Sequence, residues 1–465
     1  MFQPTLIIHG GAGAIQRSTL PPDLYSQYHA SLLSYLRSTK DLLDKGTSAL
    51  DAAVHAVSLM EDDELFNCGR GSVFTKAGTI EMEASVMVTS VLEEEGGGGG
   101  ATFKRAAGVM GLKNVQHPIR LARQSLLRTG HDANGAPTAD GGSMHSQLAA
   151  PFVEELAREW GLEFKPDEWF FTQRRWDEHR RGLEGKEEPV SMSQGTVGCV
   201  CLDRWGGLAV ATSTGGMTNK FPGRIGDTPT LGAGFWAERW DEGDGDDEMN
   251  VGAAKEMVYR APPSESRQHY ADSTTKYSLR SLWDDIFGNQ TSKLSFRRTV
   301  PHSPSPPWFM CSTNICTITC SSTDSEEQEA LIDRVPRVSS TRKRAIALSG
   351  TGNGDSFLRV AAARTACAIA QFSPHEVPAA AAVTAIAGPG GKLQRSAGPR
   401  WQKTGEGEGG IIGIEARVDD SAMGQVLRGT VVFDFNCGGM WRAWIETGDD
   451  GYEVERVMVF REEYH

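Results

Sequence analysis

Between residues 48 and 60 the apolar positions fall at helical spacing. Ala49, Ala52, Ala53, Ala56, Val57 and Met60 share one face, and Ser48 is placed to cap the helix with Asp51 three residues on. Further along, the pattern changes to extended runs broken by turns. Val197–Asp203, the turn Arg204-Trp205-Gly206-Gly207 and Leu208–Ser213 predict a strand, a tight connection and a returning strand. Gly410–Val418, Thr430–Phe435 and Val454–Phe460 predict late strands, and Ser356–Gln371 an amphipathic helix. Helical and strand signals alternating in this way predict an α/β protein, although periodicity alone does not order its layers.

Three segments lack either period. Glu93-Glu94-Glu95 followed by Gly96–Gly100 reads as a loop tip. Residues 169–194 are rich in Arg, Glu, Lys and Gln and read as a mobile linker. Residues 238–344 are acidic at Asp241–Glu248 and rich in Ser and Pro at His302–Pro307, which predicts a partly disordered insertion. No catalytic pattern lies inside it.

With 465 residues and a formal net charge of −13, the chain has the size of a large layered domain or of more than one domain. The acidic balance argues against nucleic acid or an anionic membrane as a partner. No basic start leads into an apolar stretch, and no apolar run is long enough to cross a bilayer, so a cytoplasmic protein is expected. The eight cysteines, Cys68, Cys199, Cys201, Cys311, Cys316, Cys320, Cys367 and Cys437, are scattered, as reduced thiols would be. The group Cys311, Cys316 and Cys320 lacks a fourth ligand and paired CxxC spacing, which argues against zinc.

The candidate chemistry centres on Thr196 in Gly195-Thr196-Val197-Gly198. A threonine hydroxyl needs a base, and the simplest is its own α-amino group once the peptide bond before it is cut. That amine, with an ordinary pKa of about 7.7–8.0, is partly neutral at physiological pH. Attack of the hydroxyl on the Gly195 carbonyl, followed by opening of the resulting ester by water, would free it. The other reading is an ordinary strand start. The predicted hairpin brings Thr214 back toward Thr196, where its hydroxyl is expected to hydrogen-bond the nucleophile. Arg224 and Asp227 form a short plus/minus pair, suited to the carboxylate and ammonium of an amino acid. Alone, they read equally as a surface ion pair. No G-x-S-x-G elbow, Walker A pattern or complete dinucleotide fingerprint occurs.

These residues resemble the plant-type asparaginases, or isoaspartyl peptidases, among the N-terminal nucleophile hydrolases. The likeness takes in Leu6-Ile7-Ile8-His9-Gly10-Gly11-Ala12-Gly13, the helix from Ser48 and the loop Phe66-Asn67-Cys68-Gly69-Arg70-Gly71-Ser72. It continues through Glu81-Met82-Glu83-Ala84-Ser85, His117–Ala122, Gly195–Gly234 and Thr351-Gly352-Asn353-Gly354-Asp355. The resemblance implies an αββα sandwich and self-cleavage between Gly195 and Thr196, giving an α subunit of residues 1–195 and a β subunit of 196–465. Two cleaved protomers are expected to associate. Thr196 would be the nucleophile, Thr214 its supporting hydroxyl and Asn67 a neighbour. The substrate pocket would comprise Arg224 for the α-carboxylate, Ile225 and Gly226, Asp227 for the α-ammonium, Thr351 and Gly352 at the oxyanion, and Asn353 and Gly354. The substrate would be L-asparagine or a β-aspartyl dipeptide, with no cofactor. A structural sodium ion would be held by backbone carbonyls near Met60, Glu61, Phe66, Cys68 and Arg70.

Two positions depart from the family pattern. Asn353 stands where these enzymes usually carry histidine, and Glu83 where Asp is usual. Thr351-Gly352-Asn353-Gly354 is similar to the glycosylasparaginases, which keeps that activity as an alternative, and an uncleaved pseudoenzyme scaffold is another. Gly195 and the His9-Gly10-Gly11 opening favour the asparaginase type.

Overall fold

The computed structural model describes residues 2–89, 105–131, 136, 145–185, 195–242, 342–418, 427–447 and 452–464. The chain begins with β1 (Phe2–Gln3) and β2 (Thr5–Gly13), then α1 (Pro22–Asp44) and α2 (Ala49–Asp62). Next come β3 (Met82–Val88), β4 (Arg105–Leu112), α3 (Pro118–Arg128), β5 (Gln147–Ala149), α4 (Phe152–Glu159), α5 (Asp167–Phe170) and α6 (Gln173–Leu183). The central hairpin is β6 (Val197–Leu202) and β7 (Leu208–Thr214), followed by β8 (Phe235–Glu242) and β9 (Arg342–Gly352). The remainder is α7 (Gly354–Val360), α8 (Ala362–Phe372), α9 (Ala379–Ala387), α10 (Lys392–Ala397), β10 (Gly409–Val418), β11 (Leu427–Phe435), β12 (Gly439–Thr447) and β13 (Glu453–Met458).

Two mixed sheets result, one ordered β13-β12-β2-β6-β7-β3-β4-β5 and the other β1-β11-β10-β9-β8. Along β2, Leu6 and Ile8 join a buried cluster with Leu36, Ala53, Val57 and Ile119 of the helices. Ile7 joins a different cluster with Phe235, Ala347 and Ile412 of the other sheet. On β9, Ile346 and Leu348 pack with Ala366, Val383 and Ile386 of the later helices. Successive side chains therefore alternate between two apolar surroundings, as the two-residue strand period demands. The α2 cap forms as its spacing predicts, Ser48 accepting a hydrogen bond from the Asp51 N–H.

Several expectations change. Within the segment read as a mobile linker, residues 173–183 form α6, with Thr172 capping the start through the Arg175 N–H. Arg175 is fully buried; its Nε donates to the Gly71 carbonyl at 2.8 Å and its Nη1 to Glu178 at 2.8 Å. Residues 186–194 lie outside the described residues. The expected insertion also starts too early and ends too late in the sequence. Glu238 to Glu242 pair with Ile346 to Arg342 in the β8–β9 ladder, so the excursion is confined to 243–341, which lies outside the described residues together with Cys311, Cys316 and Cys320. The loop tip at 93–100 lies outside them too. The helix expected over 356–371 divides into α7 and α8 at Ala361, which adopts a left-handed conformation (φ 45°, ψ 56°). The first N–H groups of α8 are drawn aside, Ala363 N–H donating to Ala233 O and Arg364 N–H to Gly232 O.

Candidate active site

Thr196 immediately precedes β6 and is buried. The β6–β7 ladder pairs Val197 with Ser213, which carries Thr214 to the same end of the hairpin. The Thr214 hydroxyl is occupied locally, accepting the Gly216 N–H at 2.9 Å. Thr228 instead faces the nucleophile candidate, with its Oγ1 3.2 Å from Thr196 Oγ1. The hydroxyl nearest Thr196 Oγ1 in this structure comes from the residue after Asp227. Thr228 is itself fixed, since its carbonyl accepts the Ser85 hydroxyl at 2.6 Å and Ser85 Oγ lies 2.6 Å from Thr212 Oγ1. Asn67 holds the turn after Thr214: its Nδ2 donates to Gly216 O at 2.7 Å and its backbone carbonyl accepts the Gly215 N–H at 2.9 Å.

Strand ends of the second sheet complete the surroundings. Ser349 Oγ lies 2.7 Å from Nε2 of the buried His9, a pair separated by 340 residues in sequence. Burial lowers the His9 pKa to about 3, opposed by contact with the Thr196 backbone, so the imidazole is neutral. Thr351 is buried, and its hydroxyl accepts the Ala12 N–H at 3.2 Å. Gly352 ends β9, and Asn353 N–H donates to Glu408 O at 2.9 Å. Sequence reasoning singled out neither His9, Ser349 nor Thr228 as a site residue. Their only signal is the presence of hydroxyl and imidazole side chains within β2, within β9 and in the loop after β7.

Arg224 donates through Nη2 to the exposed Asp355 at 2.7 Å. The neighbouring Ile225 is exposed and Gly226 is buried. Asp227 is buried, and desolvation pushes its pKa up to about 7, opposed by its own backbone N–H. Asp227 Oδ1 and Arg224 Nη2 both face Gly354, lying 2.5 and 3.1 Å from where a Cβ would stand. Asn353 turns its side-chain oxygen away to cap α7, accepting from Ser356 N–H at 3.1 Å and Ser356 Oγ at 2.7 Å. It therefore acts here as an element of local structure.

In the loop after α2 the carbonyls turn inward. A Cβ on Gly69 would lie 2.1 Å from Glu61 O, and one on Gly71 would lie 2.0 Å from Phe66 O and 2.7 Å from Glu64 O. Uncharged carbonyl oxygens of this kind would suit a hard monovalent cation better than zinc. Met60 and Cys68 carbonyls are engaged by Asp63 and Gly71 N–H groups, and Arg70 lies 3.9 Å from Glu64. Among the described residues no group of three or more His, Cys, Asp and Glu is placed to hold a metal ion.

Two mixed sheets with helices carry a buried threonine beside the loop of Arg224 and Asp227, a chain of mixed α and β structure. A family model described as asparaginase matches residues 2–283, and the chain belongs to that family. It is 36% identical over 246 residues to an isoaspartyl peptidase of Escherichia coli (strain K12), an alignment covering 51% of this chain and 68% of that protein. It is 35% identical over 246 residues to the isoaspartyl peptidase of Salmonella typhimurium, covering 51% and 70%. With an isoaspartyl peptidase/L-asparaginase of Xenopus laevis the identity is 31% over 283 residues, covering 59% and 82%.

Proposed function

We propose that this chain cuts itself between Gly195 and Thr196 and then hydrolyses the side-chain amide of L-asparagine and of β-aspartyl (isoaspartyl) peptides. The observation that carries this reading is the buried Thr196 hydroxyl at the start of β6, 3.2 Å from Thr228 and on the loop-facing end of the hairpin that leads to Arg224 and Asp227. The names of the relatives support the same substrates. In turnover the Thr196 hydroxyl attacks the amide carbonyl while its freed amine takes the hydroxyl proton. The tetrahedral species collapses to a β-aspartyl ester, and the amine's proton leaves with ammonia or the amino-acid product. Water then opens the ester, restoring the hydroxyl. Arg224 holds the α-carboxylate, Asp227 the α-ammonium, and Thr351 with Gly352 the developing oxyanion.

The wider proposal is an αββα sandwich of the N-terminal nucleophile type, supported by the three buried clusters. Its protomers, of α subunit 1–195 and β subunit 196–465, pair as dimers in the cytoplasm, without nucleic-acid or membrane partners. No helix among the described residues is long and apolar enough to cross a membrane. A sodium ion in the carbonyl cradle after α2 would be structural, holding the loop that carries Asn67.

Intact mass tests the reading. The purified protein should resolve into fragments of residues 1–195 and 196–465, while Thr196→Ala stays whole and inactive. Cleavage of Thr196→Ala at the same bond, or an uncut active wild type, overturns it. A panel of asparagine, β-Asp-Leu and glycosylasparagine then fixes the leaving group, with β-Asp-Leu expected to lead in kcat/KM.

A further inference from the structure

Glu83 lies on β3 beside the loop that carries Arg224 and Asp227, and it is 1% exposed. Its Oε1 accepts the Gly226 N–H at 2.9 Å. Its Oε2 is buried and has no partner, and the same is true of Asp227 Oδ2. A buried carboxylate oxygen left unpaired is costly, so each is suited to a positive or donating group. The two side chains flank one cation. A Cβ on Gly226 would lie 3.0 Å from Glu83 Oε2 and 2.9 Å from Arg224 Nη1, while Gly354 opens in the same way onto Asp227 Oδ1 and Arg224 Nη2. Two bare glycines thus let carboxylate, guanidinium and carboxylate crowd together at one place beside the backbone. Lys220, buried nearby, gives its Nζ to Glu81 O at 2.6 Å, and Glu81 Oε2 is taken by the Gly223 N–H at 2.7 Å.

We infer that Glu83 is a second anionic contact for the ligand's α-ammonium, which Glu83 and Asp227 receive together while Arg224 takes the α-carboxylate. The inference rests on the proposed site. A site with two carboxylates around one guanidinium is matched by a zwitterion whose carboxylate engages the guanidinium and whose ammonium lies toward the acids. It strongly disfavours a ligand that brings the carboxylate alone. Burial raises the pKa of both acids, opposed at Glu83 by Lys220 and the Gly226 N–H, and an arriving cation favours their ionised forms.

The test compares asparagine with succinamate, which has the same amide and carboxylate but no α-ammonium, as a ratio of kcat/KM. In Glu83→Gln, which preserves shape and the acceptor for Gly226 N–H, the ratio should fall at least tenfold, mainly through the KM for asparagine. In Asp227→Asn the ratio should also fall yet remain above one, because Glu83 still supplies charge. In the double variant it should reach one. A wild-type ratio in Glu83→Gln, or a ratio of one in Asp227→Asn alone, overturns the inference. The second result is readable even if Glu83→Gln fails to fold. A wild type inactive on both amides would instead refute the proposed site, a separate failure.

Discussion

Arg224 and Asp227 sit three residues apart in opposite electrostatic settings. The Arg224 guanidinium reaches outward to the exposed Asp355, whereas Asp227 is buried and its pKa is pushed up to about 7. If Arg224 grips the substrate carboxylate, Arg224→Ala loses a charge-assisted contact of roughly 2–4 kcal/mol and lowers kcat/KM about 30- to 1,000-fold. Self-cleavage uses no free amino acid, so gel and mass analysis of this variant should still show the cut; unchanged turnover would place the carboxylate elsewhere. For Asp227, the carboxylate that attracts an ammonium forms only as pH rises through about 7. The kcat/KM for asparagine should therefore rise up to tenfold per unit below that pH, while the profile for succinamate lacks this step and retains only that of the Thr196 amine. Coincident profiles would remove Asp227 from ammonium binding. The same proton acts on stability with the opposite benefit. The folded state keeps a proton that the unfolded chain has released above its ordinary value of 3.8, so this group's contribution falls as pH rises from about 4 to 7. The slope is at most ~1.4 kcal/mol per pH unit. Thr196, Arg224 and Asp227 stand out as candidates in the sequence because their types and spacing are local. His9 and Ser349 meet across 340 residues, so their pairing exists only in the fold.

At the scale of elements, the hidden parts have a common cause. All seven residues of β3 are buried, so apart from Glu83 its sequence shows apolar or small side chains where a one-sided strand would alternate; the six of β6 are buried too, and only the turn after it marks that strand in the sequence. The β12 strand, Gly439–Thr447, escaped sequence reading although it pairs with β2 along most of its length. The inner face of α6 includes Arg175, Glu178 and His179, all buried, so a helix that packs through charge and hydrogen bonding looked like a solvated linker. By contrast, α2 declares itself because its buried face is alanine, valine and methionine. The break at Ala361 is equally invisible in advance, since alanine is the best helix former and only the pull of Gly232 and Ala233 carbonyls on α8 sets it in the left-handed region. An alanine there costs about 1–2 kcal/mol, partly offset in a glycine by its greater loss of backbone freedom. Ala361→Gly should accordingly stabilise the protein by about 0.5–1 kcal/mol in denaturant titration. Destabilisation would show that the Ala361 side chain contributes packing that outweighs its backbone cost.

For the molecule as a whole, the decisive relation is between β8 and β9. Glu242 and Arg342 are opposite each other in an antiparallel ladder, so residues 243–341 leave and re-enter the sheet at one place. Cα atoms of such partners are about 4.5–5.5 Å apart, a gap that a hairpin of two to five residues closes. Loop length adds little in itself, about 0.6 kcal/mol for each doubling. Replacing 243–341 by a Gly/Asn turn should therefore leave the ladder, the Thr196 surroundings and self-cleavage intact, read as soluble protein with an unchanged 1–195 fragment and a shortened second fragment. The family match, however, continues past Glu242 to residue 283. A second replacement confined to 284–341 separates the two contributions. If both fold and cleave, the whole excursion is dispensable to the sheets. If only the shorter deletion does, residues 243–283 belong to the working domain, and the insertion begins later in the chain than the strand pairing indicates. Insoluble protein from both, across several turn lengths, would show that the region is needed for the rest of the chain to fold.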